Sequence, residues 1–321
     1  MVVSRHLLLV VAVGVMLAAA PNPMDAHNRQ LALGITEPTQ TGIAAVDAQT
    51  ARLGRAPAMW GMFLNWAGSS NFPGSFLTAL AQRSIMPVIS WEPTDGSSDC
   101  TRWSLDNITK GGHDAYVRQW ATDAKQYGGP IILRFAHEME GYWFIWGNGR
   151  CTNTPAKFRV AWRHVWQIFR DVGATNVKFL WSPNGGRNMK VFYPGDKYTD
   201  YVGFSAYDWG RGPNVNGRWL TMVQTFAPKM TRMSSFTRKP IIIAEMGAAY
   251  LPNCAACDKV AYIQQGYPAV YRKWPQIKGL LYFDLDATAG GARDWRLSSP
   301  PGALDAYRAI VADRRFQGSI P

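Results

Sequence analysis

Residues 131–182 contain three segments of alternating type: IILRFA at 131–136, AKFRVAWRHVWQIFRDV at 156–172 and VKFLWS at 177–182. The first and the last are short, β-rich apolar runs, whereas the middle segment spaces its apolar residues with the period of a helix. Alternation of this kind is typical of parallel strands joined by a helix. These residues therefore predict a strand–helix–strand unit.

The same alternation continues on both sides of this unit. We predict eight strands, at 31–36, 59–65, 86–91, 131–136, 177–182, 201–206, 241–245 and 280–285. The clearest helices are predicted at 114–127, 156–172, 220–233, 260–273 and 303–313. Eight repeats favour an α/β fold with a single (β/α)8 barrel, also called a TIM barrel. A doubly wound open sheet is the alternative, but no glycine-rich phosphate-binding turn follows the first strand.

The composition is that of a large folded domain. The chain has 321 residues, of which 47% are hydrophobic and 17% are charged, and this excludes a disordered or fibrous protein. The 14 Trp residues exceed what a core usually needs, which suggests apolar platforms on a binding surface. The net charge is +12, but the basic residues are scattered and form no run typical of nucleic-acid binders. We expect no nucleic-acid partner.

The N-terminus has the pattern of a signal peptide. A basic start precedes residues 7–20, which are all apolar or small, and a short exit segment ends at Ala26. An apolar run of about 14 residues is short for a membrane span. We predict a signal peptide at residues 1–26, cleaved after Ala20 or Ala26, and one folded domain at residues 27–321. The mature protein is expected to be secreted, monomeric and free of the membrane.

Four cysteines agree with export, because an even number in an exported chain favours disulfides. Of the three possible pairings we favour Cys100–Cys151 with Cys254–Cys257, since the second pair is close enough to close a local loop. Residues 94–112 are rich in Gly, Ser and Thr and predict a long loop held by Cys100. The C-x-x-C spacing also suits zinc, but no second pair accompanies it, so no metal is expected.

Chemistry in a (β/α)8 barrel lies at the C-terminal ends of the strands. The third to eighth predicted strands all end in polar or aromatic residues, and two of them end in Glu138 and Glu245. Burial of a lone carboxylate beside an apolar strand costs free energy unless the group faces a water-filled cleft or an oppositely charged partner. Two carboxylates across one barrel mouth suit glycoside hydrolysis, in which one protonates the leaving oxygen and the other attacks the anomeric carbon. A separation of about 5–5.5 Å leads to retention of configuration.

The adjacent His137 and Glu138 also invite comparison with zinc proteases. The zinc motif requires a second His four residues after the first, on a helix. That position is Gly141, and the preceding segment is a predicted strand. The zinc-protease hypothesis is therefore rejected, and the two-carboxylate mechanism requires no cofactor.

Six motifs follow one another along the chain: WEP at 91–93, RFAHEMEGYWFIWG at 134–147, WSPN at 181–184, YPGD at 193–196, YVGFSAYDW at 201–209 and IAEMG at 243–247. In this order they resemble glycoside hydrolase family 26, a group of retaining β-glycanases with the (β/α)8 fold that includes β-mannanases and mixed-linkage β-glucanases. Each motif alone is weak evidence, whereas the ordered set covers nearly all of residues 31–313. The resemblance implies that residues 27–321 form a catalytic domain.

The resemblance implies a role for each matching polar residue. Glu138 corresponds to the general acid/base, whose raised pKa requires an apolar wall or a neighbouring negative charge. Glu245 corresponds to the nucleophile, with Tyr207 as the matching hydrogen-bond donor. His137 takes the position of a substrate-contacting histidine. Arg134 faces the same side of its strand as Glu138 and is expected to brace the carboxylates.

Several tryptophans are candidate sugar-stacking platforms. Four follow or end predicted strands, and we expect about half of these four to contact ligand: Trp143, Trp146, Trp181 and Trp209. Trp295, in the sequence Asp-Trp-Arg, resembles a stretch that glucanases of the family carry after the eighth strand.

Two positions depart from the family pattern. Glu140 stands where the family usually has Asn, and Ser205 stands where it often has Asp. Neither is one of the two catalytic carboxylates. They therefore bear on the choice of substrate more than on the reaction.

The function predicted from these features is a secreted, retaining endo-β-glycanase that acts on a polysaccharide or oligosaccharide. β-1,4-Mannan is the first candidate substrate, and mixed-linkage β-1,3-1,4-glucan is the second. Two other hypotheses are a hydrolase of an acidic or unusual cell-surface glycan, suggested by the net charge and the two departures, and a catalytically silent carbohydrate-binding barrel.

Overall fold

The computed structural model describes residues 29–37, 42–67, 71–210 and 218–320. The predicted signal peptide and both of its predicted cleavage points lie outside these ranges. Within the described residues, no helix combines the length and the apolar character needed to cross a membrane.

Parallel strands form one closed barrel in the described part of the chain: β1 (Ala32–Thr36), β2 (Met59–Asn65), β3 (Met86–Glu92), β4 (Ile131–Phe135), β5 (Val177–Trp181), β6 (Tyr201–Val202), β7 (Ser205–Asp208), β8 (Ile241–Ala248) and β9 (Ile277–Phe283). Their order is β6-β5-β4-β3-β2-β1-β9-β8-β7, and β6 also pairs with β8, which closes the ring. Because β6 and β7 both pair with β8, they occupy one position of the barrel. The predicted eight-stranded (β/α)8 fold is confirmed.

The sixth barrel strand differs from the prediction in one respect. A single strand was expected at 201–206, but the strand is interrupted at Gly203 and resumes as β7. A Cβ atom at Gly203 would lie 1.9 Å from the carbonyl oxygen of Ile242, so only glycine allows the two backbones to come this close. The interruption carries the chain towards the barrel mouth.

Helices surround the barrel: α1 (Ile43–Leu53), α2 (Gly74–Ala81), α3 (Cys100–Trp103), α4 (Leu105–Thr109), α5 (Asp114–Tyr127), α6 (Pro155–Val172), α7 (Met222–Ser234), α8 (Lys259–Lys273) and α9 (Ala303–Ala312). The five helices with the clearest periodicity are all present, with ends within two residues of those predicted. The prediction of a plain loop at 94–112 is wrong, because α3 and α4 lie inside it. Asp99 and Ser104 accept hydrogen bonds from the backbone at the starts of these helices, which stabilises them.

Helix α6 illustrates how the outer layer packs on the barrel. Phe158, Trp162, Val165 and Phe169 recur at helical spacing, and all four side chains are buried. Burial of each such side chain contributes about 1.5–3 kcal/mol. Thr154 caps the start of the helix, and the chain leaves its end through the left-handed Gly173, before β5 begins at Val177.

The two predicted disulfides are present. Cys100–Cys151 joins α3 to the segment that follows β4, and Cys254–Cys257 closes a short loop before α8. The first bond therefore ties the long excursion after β3 to the one after β4. Both excursions emerge from the same end of the barrel, which is the end that carries the candidate site.

Candidate active site

Two pairs of facing residues organise the C-terminal end of the barrel. Ser90 on β3 is in register with Arg134 on β4, and Ser205 on β7 is in register with Glu245 on β8. Side chains alternate between the two faces of a strand, and all four of these point into the barrel mouth, where they contact one another. They form the floor of the site.

Arg134 is the centre of this floor. It is fully buried. Its Nη1 donates to the Oγ of Ser90 at 3.0 Å and to Oε1 of Glu245, and its Nη2 donates to the Oγ of Ser205 at 3.2 Å. Arg134 is covered on all sides, and its contact with Glu245 is that of the bracing role expected from the sequence.

Tyr207 holds the other oxygen of Glu245. The Tyr207 hydroxyl donates to Oε2 of Glu245 at 2.7 Å. Burial and the charge of Glu245 raise the pKa of Tyr207 well above its usual value, so this phenol keeps its proton. Glu245 thus accepts from a guanidinium on one oxygen and from a phenol on the other. Both bonds stabilise its negative charge and fix its orientation.

Glu138 lies just beyond β4, on backbone of an unusual conformation. Both Ala136 and Glu138 have positive φ values, of 43° and 52°. Left-handed backbone costs about 1–2 kcal/mol per residue without glycine and is often found at functional sites. The amide of Glu138 donates to the carbonyl oxygen of Ser182 at 2.9 Å, which anchors the turn to the end of β5.

The carboxyl group of Glu138 has surroundings unlike those of Glu245. Its Oε2 accepts a hydrogen bond from Nε1 of Trp143 at 2.8 Å. Burial and the negative charge of Glu245 raise the pKa of Glu138 to about 7, against a smaller opposing effect of Arg134. A carboxylic acid that keeps its proton near neutral pH can act as a general acid.

His137 lies between carboxylates. Its Nε2 is 4.0 Å from Oε1 of Glu92 and 4.0 Å from Oε1 of Glu245. Burial, helped by the charge of Arg134, lowers the pKa of His137 well below its usual value, so the ring is neutral. A neutral imidazole has one donor and one acceptor. The ring is buried, so its expected contact with substrate stays a prediction.

Glu92 joins the site although the sequence prediction did not assign it a role. Burial and the charge of Glu245 raise its pKa to about 7. Its position at the end of β3, within the first matching motif, could have identified it as a site residue.

No group of three His, Cys, Asp or Glu side chains suited to a metal ion occurs among the described residues.

The predicted aromatic platforms divide into exposed and buried rings. Trp143 and Trp209 are exposed, at 47% and 38% of their surface, and border the cleft. Trp295 is buried, with its ring 4.7 Å from Tyr207 and 5.0 Å from Trp209, so it supports these two rings and offers no free face. Its assignment as a platform is corrected.

Trp181 and Trp146 are also buried in the core. The ring of Trp181 packs 5.0 Å from Tyr193 and 6.0 Å from Phe236, on the side of β5 that faces away from the cleft. Trp146 donates from Nε1 to the carbonyl oxygen of His137 at 2.7 Å. Trp146 and Trp181 offer no free face to a sugar, so two of the four candidate rings are exposed, and the expectation that about half contact ligand stays a prediction.

The two departures from the family pattern have structural partners. Oε1 of Glu140 accepts hydrogen bonds from the backbone amides of Gly185 and Gly186, at 2.7 and 3.0 Å. Glu140 thereby fixes the turn after β5. The hydroxyl of Ser205 accepts from Arg134, which places a neutral group beside the guanidinium where the family often has a carboxylate.

The geometry agrees with what the comparison with known families finds. The model of the family described as Glycosyl hydrolase family 26 matches residues 104–272, which is more than half of the chain and includes Arg134, Glu138 and Glu245. The chain belongs to glycosyl hydrolase family 26. The resemblance inferred from the six motifs is confirmed, and with it the glycoside hydrolase class at the level of the family.

Relatives of this family 26 chain include an endoglucanase and a mannosidase. Endoglucanase H of Acetivibrio thermocellus is 30% identical over 89% of this chain and 31% of its own length. A mannan endo-1,4-beta-mannosidase of Bacillus subtilis is 27% identical over 51% of this chain and 41% of its own length. The chain thus spans less than half the length of either curated relative.

Solved structures confirm the barrel. A GH26 beta-mannanase from Bacteroides ovatus, BoMan26A, superposes with a TM-score of 0.66 at 16% identity and covers 91% of both chains. A modular endo-beta-1,4-mannanase from Cellulomonas fimi gives 0.65 at 17% identity, over 89% of this chain and 71% of its own. At these identities the likeness establishes the fold alone.

Proposed function

We propose that this family 26 chain hydrolyses β-glycosidic bonds inside a polysaccharide by double displacement, with retention of configuration. Glu245 is the nucleophile and Glu138 the general acid/base. The observation that carries the proposal is the contrast between the two carboxyl groups of one barrel mouth. Glu245 accepts from Arg134 and Tyr207, whereas burial and the charge of Glu245 raise the pKa of Glu138 to about 7.

In the first step, a carboxylate oxygen of Glu245 attacks the anomeric carbon and forms a glycosyl ester. The bond to the leaving oxygen breaks, and Glu138 gives that oxygen its proton. In the second step, the Glu138 carboxylate takes a proton from water, and the water oxygen attacks the anomeric carbon. Glu245 leaves as a carboxylate, and Glu138 again carries a proton.

The first candidate substrate is β-1,4-mannan, supported by relatives named mannan endo-1,4-beta-mannosidase. The second is a β-glucan, supported by the relative named Endoglucanase H, whose match spans 89% of this chain. A silent binding barrel is disfavoured because both carboxylates are present and paired with the groups that hydrolysis needs.

The test is reducing-end release on mannan, galactomannan, mixed-linkage glucan, cellulose, xylan and an acidic glycan. Glu245→Ala tests the assignment of the nucleophile. Asp305→Ala is the matched control, since Asp305 is an exposed carboxylate on α9 paired with Arg308. We expect activity on mannan or a β-glucan that Glu245→Ala abolishes and Asp305→Ala leaves unchanged. Activity on the acidic glycan alone, or on no polymer, would overturn the proposal.

We also propose that the protein is secreted and that the mature form is a monomer. The basic start, the apolar run at 7–20 and the even number of cysteines support export. Mass spectrometry of protein from the culture medium should give a mature N-terminus after Ala20 or Ala26, and light scattering a single-chain mass. Retention of the full-length chain in the cell would contradict export.

A further inference from the structure

Two of the exposed large hydrophobic side chains among the described residues are adjacent and lie beside the catalytic centre. Tyr142 is 76% exposed and Trp143 47% exposed. Scattered single exposed apolar residues are ordinary, but adjacent aromatic rings at the rim of a cleft are typical of ligand sites.

The two rings end a run of aromatic contacts that leads outwards from the catalytic centre. The ring of His137 lies 4.7 Å from Phe144, which lies 6.4 Å from Trp143, which in turn lies 5.8 Å from Tyr142. Exposure increases along this run, from the buried His137 through the half-buried Phe144 to Tyr142. We call Trp143 and Tyr142 the outer shelf.

The loop that carries the outer shelf is tightly held. The amide of Gly141 donates to the carbonyl oxygen of Glu138 at 3.0 Å, and that of Asn148 donates to Met139 at 2.9 Å. A Cβ atom at Gly141 would lie 2.3 Å from the ring of Trp143, and one at Gly147 would lie 2.2 Å from the oxygen of Gly141. The rings are therefore presented by a compact turn. Because the turn is already ordered, little conformational entropy is lost when a ligand binds.

The contacts of the outer shelf determine which side of the cleft it serves. Trp143 donates to Glu138, the group that protonates the leaving oxygen in the proposed mechanism. Trp209 and Trp295 instead pack with Tyr207, next to the nucleophile. The outer shelf therefore extends from the acid/base, towards the sugars that leave in the first step.

We propose that Tyr142 is a sugar-binding platform on the leaving-group side, one step further out than Trp143, for a β-linked glycan backbone. The proposal rests on the proposed function for the direction of the chain. A sugar ring presents C–H bonds on its face, and these pack on an aromatic ring as apolar surface does. Tyr142 thus binds a sugar unit remote from the scissile bond.

The variants Tyr142→Ala and Tyr142→Phe test this directly. The substrates are a hexasaccharide of the backbone identified by the panel, or β-1,4-mannohexaose if the panel identifies none, and an aryl glycoside that lacks sugars on the leaving-group side. Tyr142→Ala should lower kcat/KM for the hexasaccharide by about 2- to 10-fold and move its cleavage position, because one stacking contact is lost. It should leave the aryl glycoside unaffected, and Tyr142→Phe should behave as the parent.

Val160→Ala provides a matched control, since Val160 is an exposed apolar residue on α6, outside the outer shelf. Hexasaccharide binding by Glu245→Ala, with and without Tyr142→Ala, separates this proposal from the proposed function. Weaker binding in the double variant supports the platform even if the parent hydrolyses nothing. Equal hexasaccharide kinetics and equal binding with and without Tyr142→Ala would overturn it.

Discussion

Glu138 and Glu245 are the same residue type at the ends of two strands of one barrel, yet their hydrogen-bond donors and backbone conformations differ. Glu245 lies within β8, and a buried guanidinium and a phenol donate to its two oxygens. Glu138 lies beyond β4 on left-handed backbone, and an exposed indole donates to one of its oxygens. The difference teaches that hydrogen-bond donors and backbone position, not residue type, divide the two roles.

The difference extends to the walls beside the two residues. On the side of Glu245, Tyr207, Trp209 and Trp295 form one packed cluster, and the buried Lys259 donates to the carbonyl oxygen of Trp295 at 3.0 Å. On the side of Glu138, the two rings of the outer shelf are 76% and 47% exposed. In the proposed mechanism, the first wall lies beside the nucleophile and the second beside the leaving group.

The largest effect is expected from removing Glu245, the carboxylate that accepts from both Arg134 and Tyr207. Glu245→Ala leaves no atom to form the glycosyl ester, so kcat should fall by about 10⁴-fold or more. Steady-state kinetics on the active polymer measures this, with circular dichroism to establish that the variant is folded. A loss of less than about tenfold in a folded variant would assign the nucleophile elsewhere.

Glu138→Ala should depend on the leaving group, which distinguishes an acid from a nucleophile. Natural glycan hydrolysis should slow by about 10²–10⁴-fold, because the leaving alkoxide no longer receives a proton. An aryl glycoside with an acidic phenol needs little protonation, so formation of the glycosyl ester should be nearly unchanged. Equal losses on both substrates would contradict the role of Glu138.

Tyr207→Phe removes one of the two donors to Glu245 and keeps the ring that packs on Trp295. Because a hydrogen bond to a charged group contributes about 1.5–3 kcal/mol, kcat/KM should fall by about 10- to 100-fold. Tyr262→Phe, at a buried tyrosine on the outer helix α8, is the control and should leave kcat/KM unchanged. An unaltered rate in Tyr207→Phe would show that Arg134 alone maintains the nucleophile.

The smallest expected effect is a shift in the pKa of Glu138. The acid must be protonated, so kcat/KM of the parent should decline as pH rises through about 7, where Glu138 loses its proton. In Glu245→Gln the negative neighbour is gone and Arg134 loses its anionic partner, so the pKa of Glu138 should fall below 7 while burial keeps it above 4.5. Carbon NMR titration of the Glu138 carboxyl group measures this pKa in the parent and in Glu245→Gln. An unchanged pKa would mean that burial alone sets it.

Much of this contrast could be predicted from the sequence. The alternation of apolar runs and helical periodicity predicts the barrel, and the ends of the fourth and seventh predicted strands identify Glu138 and Glu245. These positions follow from a strand period of two and from the rule that active sites lie at the C-terminal ends of barrel strands. The local spacing of Cys254 and Cys257 likewise favoured the correct disulfide pairing.

Which side of a strand end faces the cleft could not be predicted. Trp143 follows β4 and Trp181 ends β5, both within matching motifs, yet one ring is exposed and the other is buried against Tyr193 and Phe236. The turn after β4 uses left-handed backbone at Ala136 and Glu138, which no residue pattern indicates. The role of Glu140 depends on amides 45 and 46 residues away in the chain.

The most direct test of the division of labour between Glu138 and Glu245 is the anomeric configuration of the first product. Proton NMR spectra, recorded within minutes of adding enzyme to the active β-glycan, distinguish the two anomers of the new reducing end before they interconvert. Double displacement at Glu245 predicts that the β-anomer forms first and the α-anomer follows by mutarotation. Initial formation of the α-anomer would mean that water attacks directly, and would contradict Glu245 as a nucleophile.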